Sequence, residues 1–154
     1  TLLAAGHKFA APCTHQEQCP MFAAENERHW CHFFAKPPIE IFQSQFWRDV
    51  SRRLEIDLRS LPYSFLASSR LPSIAWPHGS ERLIGHPREL KAHCKLLCCG
   101  AGGLIERTLQ KRDEPDLYRR LTKRTLDGVF TWTIDPEKPE YARNVRVLDE
   151  DSFE

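Results

Sequence analysis

Ala92-His93-Cys94-Lys95-Leu96-Leu97-Cys98-Cys99, then Gly100-Ala101-Gly102-Gly103, then Leu104-Ile105-Glu106-Arg107-Thr108-Leu109 reads as two strands joined by a glycine-rich turn. Each arm is long enough for a strand, and the glycines between them allow a tight reversal of the backbone. The glycine-rich region lacks the GxxxxGK[ST] pattern and does not open a helix, so it is a turn and not a phosphate cradle. Side chains alternate along a strand. His93, Lys95, Leu97 and Cys99 therefore share one face, and Cys94, Leu96 and Cys98 share the other. Cys99 also stands at the strand end, where its thiol can reach outward to another part of the chain.

That other part is Cys13-Thr14-His15-Gln16-Glu17-Gln18-Cys19-Pro20, completed by His29-Trp30-Cys31-His32-Phe33. Three of the six cysteines fall in this stretch, with five residues between the first two and eleven before the third. The segment 12–36 has no sustained period, so it is expected to be a loop organised by its ligands. A tetrahedral site needs four donors, and three local cysteines call for one distant partner. On strand-face grounds that partner is Cys99. Spacing leaves the chemistry open. Zinc prefers tighter knuckles, although His15, His29 or His32 could substitute for a cysteine. An iron–sulfur cluster tolerates irregular spacing, and free core thiols are the third reading. A disulfide framework suits small secreted chains, and no secretory feature is present.

Working outward, Phe9-Ala10-Ala11 is a short strand ended by Pro12, and Pro37-Pro38 opens an amphipathic helix over 39–58. Its stripe of Phe42, Phe46, Val50 and Leu54 recurs every four residues, and it is expected to face the core. The stretch 62–69 reads as a buried strand, and 71–80 as a loop. A helix is expected over 115–124, with acids at its N-terminus where the helix dipole favours them. Val129 to Ile134 alternates as a half-buried strand, and the residues after it read as a mobile tail.

The chain has 154 residues, 41% hydrophobic and 28% charged, which suits an ordinary globular domain. No apolar run reaches the roughly 20 residues of a membrane helix, so no membrane association is expected. It begins at Thr1 without a signal-peptide or transit-like start and is read as a processed or partial chain. The net charge of +1 conceals a segregation. Residues 82–124 carry eleven basic against five acidic side chains, and residues 125–154 three basic against eight acidic. Arg82, Arg88, Lys91, Lys95, Arg107, Lys111, Arg112, Arg119, Arg120, Lys123 and Arg124 are accordingly candidates for RNA phosphate contacts. No hydrolytic triad or other catalytic pattern is present. The division is therefore 1–124, a cysteine-ligated region, and 125–154, a strand with an acidic tail.

Ala11-Pro12-Cys13-Thr14-His15, Cys19-Pro20-Met21 and Trp30-Cys31-His32-Phe33 resemble the APCPH…CPL…WCHF signature of methyltransferase-like ribosome assembly factors. That family acts on the small subunit of the mitochondrial ribosome. Pro62-Tyr63-Ser64-Phe65-Leu66 with Ser69-Arg70, His93 to Cys99, and Gly103-Leu104-Ile105-Glu106-Arg107 extend the resemblance in order over about residues 2–124. The sequence departs from the pattern at Thr14, at Ala92-His93-Cys94 in place of GHV, and at Phe34-Ala35-Lys36-Pro37-Pro38 in place of an arginine-rich turn.

The resemblance implies an α+β fold: a metal-stapled C-terminal part of a methyltransferase-like domain, with a cysteine loop, an amphipathic helix and a β-hairpin. It implies a four-iron–four-sulfur cluster on Cys13, Cys19, Cys31 and Cys99, with zinc as the alternative metal. The family's S-adenosylmethionine-binding half is absent here, so that cofactor and methyl transfer are not expected of this chain alone. The implied partners are small-subunit ribosomal RNA and ribosomal proteins, with a separate chain carrying the methyltransferase-like half as a further candidate. The implied location is the mitochondrial matrix.

Overall fold

In the computed structural model the hairpin is the middle of a closed five-stranded barrel. The structure describes residues 2, 4–35, 37–71, 75–123, 126 and 128–148. In chain order the elements are β1 Lys8–Ala11, β2 Phe33–Phe34, α1 Glu40–Gln43, α2 Gln45–Leu54, β3 Pro62–Tyr63, β4 Ala67–Ser69, β5 Glu81–Glu89, β6 His93–Gly100, β7 Gly103–Gln110, α3 Pro115–Thr122, β8 Val129–Asp135 and β9 Lys138–Val147. Two short 3-10 turns, Pro20–Phe22 and Ala24–Asn26, lie in the cysteine loop.

The barrel order is β5-β6-β7-β9-β8, closing back onto β5. All neighbours are antiparallel except β7 and β9, which run parallel. Counted within the barrel, this is a 1-2-3-5-4 order with a helix between the third and fourth strands, the arrangement of OB-fold barrels. Closure leaves no open sheet edge in the barrel.

The interior follows from the alternation in β6. Cys94, Leu96 and Cys98 are fully buried, and His93, Lys95, Leu97 and Cys99 lie on the other face. The buried three pack with Leu83, Leu109, Phe130 and Ala142 from the other strands, and Leu117, Tyr118 and Leu121 of α3 cover the group. One charged pair also lies inside. Leu96 stands opposite Arg107 on β7, so the Arg107 side chain points inward. It is 2% exposed, and its Nε donates to Glu81 Oε2 at 3.0 Å.

Several expectations require correction. The helix over 39–58 is broken at Ser44, whose backbone is extended, and α2 buries none of its residues. Phe46 is 64% exposed, and Ile39, Phe42, Trp47 and Leu54 are exposed too. Amphipathic spacing shows that a face wants covering but not that this chain covers it. The stretch 62–69 is two short strands with mostly exposed residues, β3 on β2 and β4 on β1. The strand 81–89 shows no clean alternation in sequence because Gly85 and Pro87 interrupt it; a register shift between Ile84 and Arg88 absorbs them. The segment after β8 forms β9 and closes the barrel, so 129–147 belongs with 81–122 and not with a separate tail. Of the expected helix 115–124, Arg124 lies outside the described residues, as do 149–154 of the acidic tail. The described strands form the barrel and two two-stranded ribbons.

Leu96→Ala is expected to cost about 2–5 kcal/mol, because it opens a cavity in the sealed interior. Phe46→Ala is expected to change stability by about 0.5 kcal/mol or less, because its ring is in solvent. Urea unfolding of both variants measures the contrast.

Candidate metal centre and RNA-facing surface

The cysteine loop is fastened to the start of β5 by side chains that the spacing of cysteines did not reveal. Arg82 donates from Nε to the Pro12 carbonyl at 3.0 Å, and Thr14 Oγ1 donates to the Ser80 carbonyl at 2.9 Å. Further on, Gly85 N–H donates to the His32 carbonyl at 2.9 Å. Ser64 Oγ also donates to the Cys31 carbonyl. Gly85 takes φ +66°, and a Cβ there would lie 2.4 Å from His32 Nε2, so the strand needs glycine where the imidazole lies against it. Inside the loop, Gln16 holds both backbone groups of Phe9 at 2.8 Å, and Asn26 Nδ2 donates to the Pro20 carbonyl at 2.9 Å.

These fastenings bring Cys13, Cys19 and Cys31 to the outer face of β6, where Cys99 stands. The four thiols lie within electrostatic reach of one another. Burial pushes the Cys99 thiol up to about 12, and Cys13, Cys19 and Cys31 add to the shift. Cys31 is raised to about 11, by burial first and then by Cys13 and Cys19. Cys13 is raised by burial and then by Cys19, with Arg82 opposing. Arg82 thus serves the loop: it holds Pro12 and sets a positive charge beside Cys13 and Cys31. Cys94 and Cys98 are on the other side of the strand, fully buried in the barrel, and act there as small apolar residues.

The loop histidines are engaged elsewhere. His32 Nδ1 bonds the Trp30 carbonyl at 2.9 Å, and its ring stacks on Trp30. His29 Nε2 accepts from Arg28, and His15 Nδ1 accepts from the Glu17 amide at 3.2 Å. Nε2 of His15 is buried without a partner, and burial lowers the pKa of that ring.

Among the described residues, no three His, Cys, Asp or Glu side chains are grouped so as to hold a metal ion. Four sulfurs on one zinc would stand about 3.8 Å apart. An iron–sulfur cluster instead takes each thiolate on its own iron, so its ligands spread around a larger body. Four cysteine thiols meeting at one place supply a donor type that either metal takes.

The metal-free chain has a definite pH signature. In the unfolded state these thiols ionise near 9.0, whereas folded Cys31 and Cys99 hold their protons to about 11 and about 12. Above pH 9 the unfolded state has therefore lost protons that the folded state keeps. Stability should be complete below about pH 9 and fall as pH rises towards 12. Thermal unfolding of the reduced, metal-free protein between about pH 8 and about pH 11 checks the sign.

The basic candidates separate into groups. Lys91, Lys111, Arg112, Arg119 and Lys123 are exposed, and Arg120 is half-buried. The Lys111 amide donates to the Ala92 carbonyl at 3.0 Å, which sets Lys91 and Lys111 side by side at one end of the barrel. Lys95 and Arg88 both reach the Glu106 carboxylate, the latter at 3.4 Å, so their charge is shared with an acid. Arg107 corrects the sequence reading outright, since its guanidinium is spent on Glu81 inside the barrel.

Against this geometry, the family model described as mitochondrial small ribosomal subunit Rsm22 matches residues 1–128. The chain belongs to the Rsm22 family. That membership makes it a mitochondrial protein associated with the small ribosomal subunit. The matched span includes the cysteine loop, the β6–β7 hairpin and α3, and stops before β8. No curated protein and no solved structure matches the chain. No helix among the described residues is long and apolar enough to cross a membrane.

Proposed function

We propose that this member of the Rsm22 family is an iron–sulfur-binding module of small-subunit assembly in the mitochondrial matrix, which contacts ribosomal RNA and ribosomal proteins. The cluster would sit on Cys13, Cys19, Cys31 and Cys99 and act structurally. When bound, it cross-links the loop to the outer face of β6. The observation that carries this reading is the meeting of Cys99 with three loop cysteines from more than sixty residues away.

The RNA side rests on two further features. Barrels of this strand order bind oligonucleotides on the face of their second and third strands, here β6 and β7, and the cysteine loop lies against that face. Lys91 and Lys111 present exposed charge at the barrel end beside it.

Anaerobic purification followed by visible absorption and iron, sulfide and zinc analysis tests the cluster. Zinc in place of iron would sink the iron–sulfur reading. For RNA, Lys91→Glu with Lys111→Glu is expected to weaken binding across sequences. It should also reduce the slope of log affinity against log salt by about 0.7–0.9 for each phosphate no longer neutralised. An unchanged slope would remove these lysines from the interface.

A further inference from the structure

Trp30, His32 and Phe34 occupy alternate positions of an extended segment, so their rings fall on one side of it. The rings form a continuous ladder. Trp30 stacks on His32 with centroids 4.4 Å apart, and His32 meets Phe34 edge-on at 5.6 Å. Phe34 stacks on His86 of β5 at 3.7 Å. Gly85 removes the Cβ that would collide with the His32 ring, so the ladder is anchored directly on a barrel strand. At its outer end Trp30 is 49% exposed, with one face of the indole covered by His32.

A large aromatic ring at the end of a rigid stack presents its uncovered face for something to stack on. The surroundings point to what that is. Arg28 bonds His29 beside the indole, and Arg88 lies two residues beyond His86. Lys95 and Arg88 meet on Glu106, which also feels His29. An aromatic platform among cations is the arrangement that takes a nucleobase with its phosphates.

We propose that Trp30 is a stacking platform for one unpaired RNA base, with Arg28, Arg88 and Lys95 serving the adjoining phosphates. The proposal rests on the RNA-binding reading above and names the ligand as single-stranded RNA. Residues 32, 34 and 86 act as positioning residues, because they hold the indole without touching the base.

The test uses the full chain, purified anaerobically, with oligoadenylate and a duplex RNA of equal length as probes. Trp30→Ala should lose about 5- to 150-fold affinity for oligoadenylate, the range for removing one base–aromatic stack, and little for the duplex. Trp30→Phe should retain most of the affinity. Because Trp30 adjoins Cys31, a second readout avoids dependence on the alanine variant. The chain has four tryptophans, and the fluorescence quenched when oligoadenylate binds the natural chain should be missing in Trp30→Phe. If the natural chain binds neither probe, the RNA reading itself falls. If it binds and Trp30→Ala matches it, or loses both probes equally, the stacking platform is overturned while RNA binding stands. Quenching that persists in Trp30→Phe likewise overturns it.

Discussion

Cys99→Ser should abolish iron and sulfide binding and leave the barrel folded, whereas Cys98→Ser should retain the iron and lose stability. The two residues are neighbours in sequence and opposites in structure. Cys99 lies on the outer face of β6 among Cys13, Cys19 and Cys31, so its loss removes the ligand that the proposal draws from the barrel. The cysteine loop would then be held by its hydrogen bonds with Arg82, Ser80, Gly85 and Ser64 and by the stacking of Phe34 on His86. Protease cleavage within 12–36 should rise accordingly. Cys98 is fully buried in the barrel, and a serine hydroxyl there would sit among apolar side chains at a cost of about 1–3 kcal/mol. Metal analysis and thermal unfolding on both variants read the contrast. Equal iron loss in both would show that the two faces do not differ as described.

The second large effect belongs to Glu81 and Arg107. Glu81→Ala is expected to destabilise the chain by about 3–5 kcal/mol, because it leaves a guanidinium charged and unpaired inside the barrel. For a chain of this length each kcal/mol shifts the midpoint by about 2–4 °C. A guanidinium does not give up its proton in a protein even without its carboxylate partner, so neutralising Arg107 is no escape. Replacing both, as Glu81→Leu with Arg107→Met, should recover most of the loss, since the Arg107 guanidinium and Glu81 carboxylate would then no longer need each other. The Pro139 carbonyl, which accepts from Arg107, would lose a donor in the double variant. If the double variant is as unstable as Glu81→Ala, the cost lies in packing and not in the charge.

The parts of the fold with local causes were readable. The β6–β7 hairpin follows from its glycines and its two-residue alternation, and α3 from Pro115 and the acids around it. Alternation also placed Cys99 opposite Cys98. The failures share a different cause. The arm 39–58 shows an apolar face by spacing, yet spacing is silent on whether the covering surface lies in this chain. Arg107 looked like a phosphate ligand because charge is usually at the surface, and its carboxylate partner lies 26 residues away on another strand. Gly85 and Pro87 broke the pattern of β5, although one of them is there to admit His32.

By itself, then, the sequence determined the hairpin and the strand faces, because these depend on neighbours within a few residues. Family membership was legible from the ordered cysteine motifs. The tertiary structure decided that the hairpin closes into a barrel through β8 and β9, and that Arg107 is interior. It also decided that the Trp30, His32 and Phe34 rings form a ladder ending on His86. Each of these depends on packing between distant segments, whose geometry arises only when loop closure brings them together.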